Sequence, residues 1–106
     1  MDVLHGTLDL LILRALELAP MHGVGVADRI HQVTRGAFNV KAGSLFPALR
    51  RLEQQGWVEG QWGPSENNRR ARYYTLTPSG RRQLAEEKRN WYRTISAMNW
   101  MLESEG

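Results

Sequence analysis

No cysteine occurs among the 106 residues, which removes disulfides, thiolate catalysis and cysteine-ligated zinc from consideration. Long apolar runs are missing too. The longest near the start is Leu10-Leu11-Ile12-Leu13, bracketed by Asp9 and Arg14, too short for a signal peptide or a membrane span. Neither export nor membrane insertion is expected, and the cytoplasm is the default compartment. The three histidines, His5, His22 and His31, have no i, i+4 spacing and no carboxylate at motif distance, so they read as surface or capping groups rather than metal ligands. No serine sits in a G-x-S-x-G context, no acidic cluster could hold the metals of a nuclease, and no glycine cluster forms a phosphate loop. Catalytic residues, metals and cofactors are therefore expected to be absent.

What is present is an ordinary globular composition, 42% hydrophobic and 24% charged, in a chain long enough for one domain and one projecting element. Net charge is only +3, but it is unevenly spread. Ten of the fourteen basic residues lie between Arg29 and Arg82, with only three acids, Glu53, Glu59 and Glu66. A positive middle between negative flanks suits a polyanionic partner.

The hydrophobic periodicity predicts a helix over 7–18, ended by Ala19-Pro20, and a second over 23–33, stopped by Thr34-Arg35-Gly36. Gly23 and Gly25 are poor helix formers and suggest close approach of a neighbouring helix. A third helix begins between Lys41 and Ser44 and ends at Gly56, a C′ glycine, with Leu45, Leu49 and Leu52 inward. Pro47 falls in its first turn if Ser44 is the N-cap and kinks it if the helix starts earlier; the sequence leaves both open. Strand-like runs follow at 57–62 and 72–76, joined by a loop over 63–70. Trp57 and Trp62 read as core or sheet-face residues. Thr77-Pro78 then gives an N-cap and an N1 proline, opening a helix that runs to about Glu103.

Helix, helix, helix, hairpin, long helix is the layout of a winged helix-turn-helix: mainly α with a small β-hairpin. The expected division is a DNA-binding domain over 1–76 and a C-terminal dimerisation helix over 77–106. Opposite the leucines of the third helix lie Ser44, Pro47, Arg50, Arg51 and Gln54. This row has no acid and carries the guanidinium and amide groups that read base edges. Asn67, Asn68, Arg69, Arg70 and Arg72 would form a basic wing along the phosphates or in the minor groove. In the last helix, Leu84, Trp91 and Met98 recur every seven residues with Ile95 and Leu102 interleaved, and Lys88 interrupts the second series. A second copy would cover this stripe, and a two-fold dimer suits a palindromic duplex operator.

The motifs Gly6-Thr7-Leu8-Asp9, Met21-His22-Gly23-Val24-Gly25, Gly43-Ser44-Leu45-Phe46-Pro47-Ala48-Leu49-Arg50-Arg51-Leu52-Glu53, Gly56-Trp57, Arg69-Arg70-Ala71-Arg72-Tyr73-Tyr74 and Leu76-Thr77-Pro78-Ser79-Gly80 follow one another in this order. In that arrangement the chain resembles the PadR family of bacterial transcriptional regulators over nearly its whole length, and within it the short subfamily with one helix after the wing. The resemblance implies a homodimeric repressor with an N-terminal winged helix and a C-terminal dimerisation helix. Two positions depart from it: Phe46 and Val24 stand where such sequences often carry tyrosine, and Phe46 loses a hydroxyl that could reach a phosphate. Two other readings compete: a protein-interaction module on the same scaffold, and a ligand-responsive regulator whose aromatic site around Trp91 at the dimer interface takes a small planar aromatic compound.

Overall fold

The computed structural model describes residues 2–64 and 69–105, with side chains from residue 6 onward. Seven elements follow in order: α1 (Asp2–Leu18), β1 (Met21–His22), α2 (Gly23–Val33), α3 (Ala42–Gln54), β2 (Val58–Pro64), β3 (Arg70–Leu76) and α4 (Pro78–Glu103). The strands form one antiparallel sheet in the order β1-β3-β2. No described helix is long and apolar enough to cross a membrane.

The fold is mainly helical, as expected, and the expected hairpin gains a third strand. Met21 and His22 pair with Tyr74 and Tyr73. Two residues are too few to show a period, which is why the strand is invisible in the sequence. The hairpin is also longer than its sequence suggests. Gly63, Pro64, Arg70 and Ala71 join the ladder; Pro64, which cannot donate to a ladder, is tolerated because it is the terminal residue of its strand.

Helix ends follow side-chain chemistry. His22 caps α2 by accepting from Gly25 N at 3.0 Å through Nδ1. Thr77 caps α4 by accepting from Gly80 N at 2.9 Å. The end of α3 is a Schellman motif: Gly56 has φ +78°, its N–H reaches Glu53 O, and Trp57 N–H reaches Leu52 O. The start of α3 settles the question left by Pro47. Lys41, not Ser44, is the N-cap and makes no side-chain cap bond. Pro47 is thus the sixth residue of the helix, where its missing N–H leaves the Gly43 carbonyl without its i+4 donor.

The core is built from Ile12, Leu13 and Leu16 of α1, Val26 and Ile30 of α2, Leu45, Leu49 and Leu52 of α3, and the hairpin base at Val58 and Leu76. Each such side chain contributes about 1.5–3 kcal/mol on burial. Leu84 of α4 joins them at 1% exposure. This corrects the expectation that Leu84 belongs to a seam between two copies: two turns after its capped start, α4 still packs on its own domain, and Leu84 closes the core. The Lys88–Glu17 ion pair at 3.6 Å ties α4 to the end of α1. From Arg89 on, every described residue of the helix is exposed, and the molecule extends to 61 Å in its long dimension against 28 and 23 Å in the others.

Gly80 sets how closely α4 can approach. A Cβ there would stand 2.0 Å from the Trp57 carbonyl oxygen and 2.8 Å from Leu76 Cδ1. Gly80→Ala is therefore expected to lose about 1–3 kcal/mol by overpacking, despite the helix propensity gained. Gly43→Ala, also within a helix but with nothing within 4 Å, is expected to gain about 0.4–1 kcal/mol. Thermal melts of the two variants should move in opposite directions.

Candidate nucleic-acid interface

Helix α3 presents Ser44, Pro47, Arg50 and Gln54 to solvent while Leu45, Ala48, Leu49 and Leu52 are buried. Four of the five residues expected on the outward row are thus exposed. The fifth is turned aside. Arg51 lies on the flank, one turn from buried Ala48, and its Nη2 donates to Asp9 Oδ1 of α1. Asp9 retains 15% of its side-chain exposure and Arg51 33%, so the pair ties α3 to α1 instead of standing free. The reading of an acid-free row containing Arg51 is corrected on that point: sequence spacing places a residue on a helix but does not reveal an acid brought in from 42 positions away.

In the hairpin, cross-strand partners share a face, and along one face the chemistry changes with distance from the core. Val58 pairs with Leu76, Gly60 with Tyr74, Trp62 with Arg72 and Pro64 with Arg70. The base is buried, Tyr74 is the last buried side chain, and the tip is cationic and aromatic. Burial pushes the Tyr74 phenol above its ordinary range, and the charges of Arg72 and Arg50 oppose that shift. Arg72 donates through Nη2 to Glu53 Oε2 of α3. That bond, and the Glu53 charge behind it, raise the guanidinium further above its ordinary value.

Trp62 stands at the centre of the tip. It is 57% exposed, with Arg70 Cζ 5.4 Å and Arg72 Cζ 5.6 Å from its ring centre, within range of cation–π attraction. The expectation of a core or sheet-face tryptophan holds for both: Trp57 packs against the core, and Trp62 lies on the sheet face at its outer reach. Arg69 and Arg70 are exposed at the start of β3, whereas Arg72 is half-buried. Asn67 and Asn68 lie outside the described residues. Trp62 and Glu53 were not among the expected site residues. Counting strand alternation back from buried Leu76 and across the ladder would have found the first; nothing local marks the second.

A groove of about 460 Å³ separates the wing from the helices, lined by Gly23, Val24, Phe46, Trp62, Arg70 and Arg72 among others. Gly23 admits the Phe46 ring, since a Cβ there would lie 2.6 Å from Phe46 Cε1. The close approach expected at Gly23 is thus made by an aromatic side chain of α3. Phe46 of α3 and the wing residues Trp62, Arg70 and Arg72 therefore line one concave surface.

On α4, Trp91, Ile95, Met98 and Leu102 are exposed at 38%, 37%, 58% and 77%. Tyr92, Trp100 and Met101 extend the apolar surface. Trp91 also lines a cleft against Gly6, Thr7 and Leu10 of α1, of about 230 Å³, smaller than the roughly 300–1,000 Å³ of ordinary small-molecule sites.

Comparison with known proteins agrees with this architecture. Residues 12–86 match the Transcriptional regulator PadR-like family. A transcriptional regulator from Clostridium thermocellum is 28% identical and superposes with a TM-score of 0.84 over 93% of this chain and 96% of its own. A PadR family transcription regulator from Clostridium difficile is 29% identical, with a TM-score of 0.76 over 90% of this chain and 97% of its own. A transcriptional regulator from Mycobacterium tuberculosis is 34% identical over 69 residues, 65% of this chain and 61% of that protein. The family is one of transcription regulators and not of enzymes. With helices, sheet and motif order all in agreement, the chain belongs to the PadR-like family of transcriptional regulators.

Proposed function

We propose that this protein is a sequence-specific repressor that binds a palindromic duplex operator as a homodimer, acting in the cytoplasm. The reading is supported by an exposed, acid-free row of Ser44, Pro47, Arg50 and Gln54 on α3 together with exposed cations on a wing that shares a groove with Phe46 of the same helix. In the proposed complex residues 1–76 bind DNA and 77–106 dimerise. Helix α3 enters the major groove, where Arg50 suits guanine and Gln54 suits adenine by bidentate hydrogen bonding. Arg69 and Arg70, with Asn67 and Asn68, lie along the backbone of the neighbouring groove. Arg51 could reach the duplex only by leaving Asp9.

The second copy is supported by the outer half of α4. Trp91, Ile95, Met98 and Leu102 form an exposed apolar stripe, with Trp91 set partly against α1, and a contiguous exposed patch of this kind marks an association surface. Pairing two such helices would hold two recognition helices about one DNA turn, roughly 34 Å, apart.

Enrichment of duplexes from a random-sequence pool tests the reading directly; recovery of a palindromic sequence is expected, and binding to no duplex at all would leave a protein-interaction module as the reading to pursue. On the enriched duplex, Arg50→Ala is expected to lose about 1–3 kcal/mol and to relax one position of the site. Arg69→Ala with Arg70→Ala should instead weaken enriched and scrambled duplexes alike and flatten the salt slope by about one to two units; an unchanged slope would take the wing off the DNA.

Replacing both Ile95 and Met98 with Asp would place carboxylates in the proposed seam, where an unpaired ion is costly. Sedimentation is expected to show a folded monomer that binds only single half-sites. A double variant still dimeric at micromolar concentration would require the interface to lie elsewhere.

A further inference from the structure

Four side chains connect the recognition helix to the wing tip in series. Glu53, on the flank of α3, accepts from Arg72 Nη2; Arg72 lies against Trp62, and Trp62 carries Arg70. On its way across the sheet to Glu53, Arg72 passes over its diagonal neighbour on β2, Gly60, where a Cβ would stand 2.5 Å from Arg72 Nε and 2.8 Å from its Cζ. Tyr74, the next residue on the same face of β3, is buried beneath it. About a third of each partner's side chain remains exposed, 30% for Arg72 and 31% for Glu53.

The signs of these charges matter. Glu53 neutralises Arg72, whereas among the described residues no carboxylate pairs with Arg70. An acid beside a surface that meets phosphates repels them over roughly a Debye length, about 8–10 Å. If the interface needed only positive charge, it would bind better without Glu53. What the carboxylate supplies is a fixed point on α3 for the outer part of the wing.

We infer that Glu53 is a positioning residue of the nucleic-acid surface: acting through Arg72, it fixes the Trp62–Arg70 stack, and with it the wing's free cation, relative to α3. Arg72 is then a strut between the two reading elements and not a phosphate contact. The inference rests on the DNA-binding function proposed above and names what sets the geometry of that surface.

The test uses the full chain carrying Glu53→Gln, with Glu59→Gln as a charge control, since Glu59 is exposed on the same strand as Trp62 but outside this series. Without DNA, the indole N–H resonance of Trp62, assigned by its loss in Trp62→Phe, should shift in Glu53→Gln and stay in place in Glu59→Gln, with Trp100 unmoved in both. On a duplex enriched by the wild-type chain from a random pool, Glu53→Gln should bind about tenfold more weakly while its affinity for a scrambled duplex holds or rises. Glu59→Gln should hold or gain on both. The paired reversal Glu53→Arg with Arg72→Glu, which conserves net charge, should recover most of the lost discrimination. If Glu53→Gln matches Glu59→Gln on both duplexes, or if Trp62 moves while discrimination does not change, the positioning role is refuted. Should Glu53→Gln fold poorly, Glu53→Asp keeps the charge but shortens the reach, and the same comparison applies. A wild-type chain that enriches no duplex would overturn the proposed function, and the Trp62 resonance would still decide whether Glu53 holds the wing.

Discussion

Three parts of the molecule are joined within a few residues of one carbonyl. The Trp57 oxygen accepts from Thr77 N at 3.1 Å, Thr77 Oγ1 donates to the Gly56 oxygen at 2.7 Å, and the same hydroxyl accepts from Gly80 N. The end of α3, the base of the hairpin and the first turn of α4 meet here, and Gly80 lets them meet because no Cβ stands between helix and carbonyl. Any shift at this junction would move recognition helix, wing and long helix relative to one another. Thr77 links two jobs in one side chain: it caps α4 and stitches that helix to the turn after α3.

The outline of the fold was legible in the sequence because its signals are local. Leucines at helical spacing fixed the inward face of α3, Gly56 marked its end, and Thr77-Pro78 marked the start of α4 within a residue. What was not legible depends on distant partners. The two-residue strand β1 exists only because β3 offers it an edge. Leu84 fits a heptad as well as it fits a core, and which it joins depends on where α1 and the hairpin lie. Ser44 looks like a cap, yet α3 starts three residues earlier without a side-chain cap.

The candidate interface was legible as composition but not as charge. Counting basic residues over the middle of the chain pointed to the stretch that holds α3 and the hairpin. It could not foresee that Asp9 would engage Arg51 or that Glu53 would engage Arg72. Both acids come from outside the motifs they modify, and both convert an apparent binding cation into a brace. Trp62 illustrates the converse. Its aromatic character suggests burial, but its ladder position opposite Arg72 carries it past the edge of the core.

The outer half of α4 has a further physical consequence. From Arg89 onward its described residues are all exposed, and it meets α1 only along the cleft lined in part by Asn90, Trp91 and Thr94; an isolated helix of about 12–15 residues is marginal in water. Its helicity in a lone chain is therefore held by continuity with the anchored first turns and by little else. Where two chains pair along it, folding of that segment and association become a single equilibrium, governed by mass action. Below the dissociation constant of such a pair, the amount of dimer grows as the square of the chain's concentration. A modest change in synthesis or dilution at cell division would then be amplified before any operator is met, so that abundance itself acts as a control input.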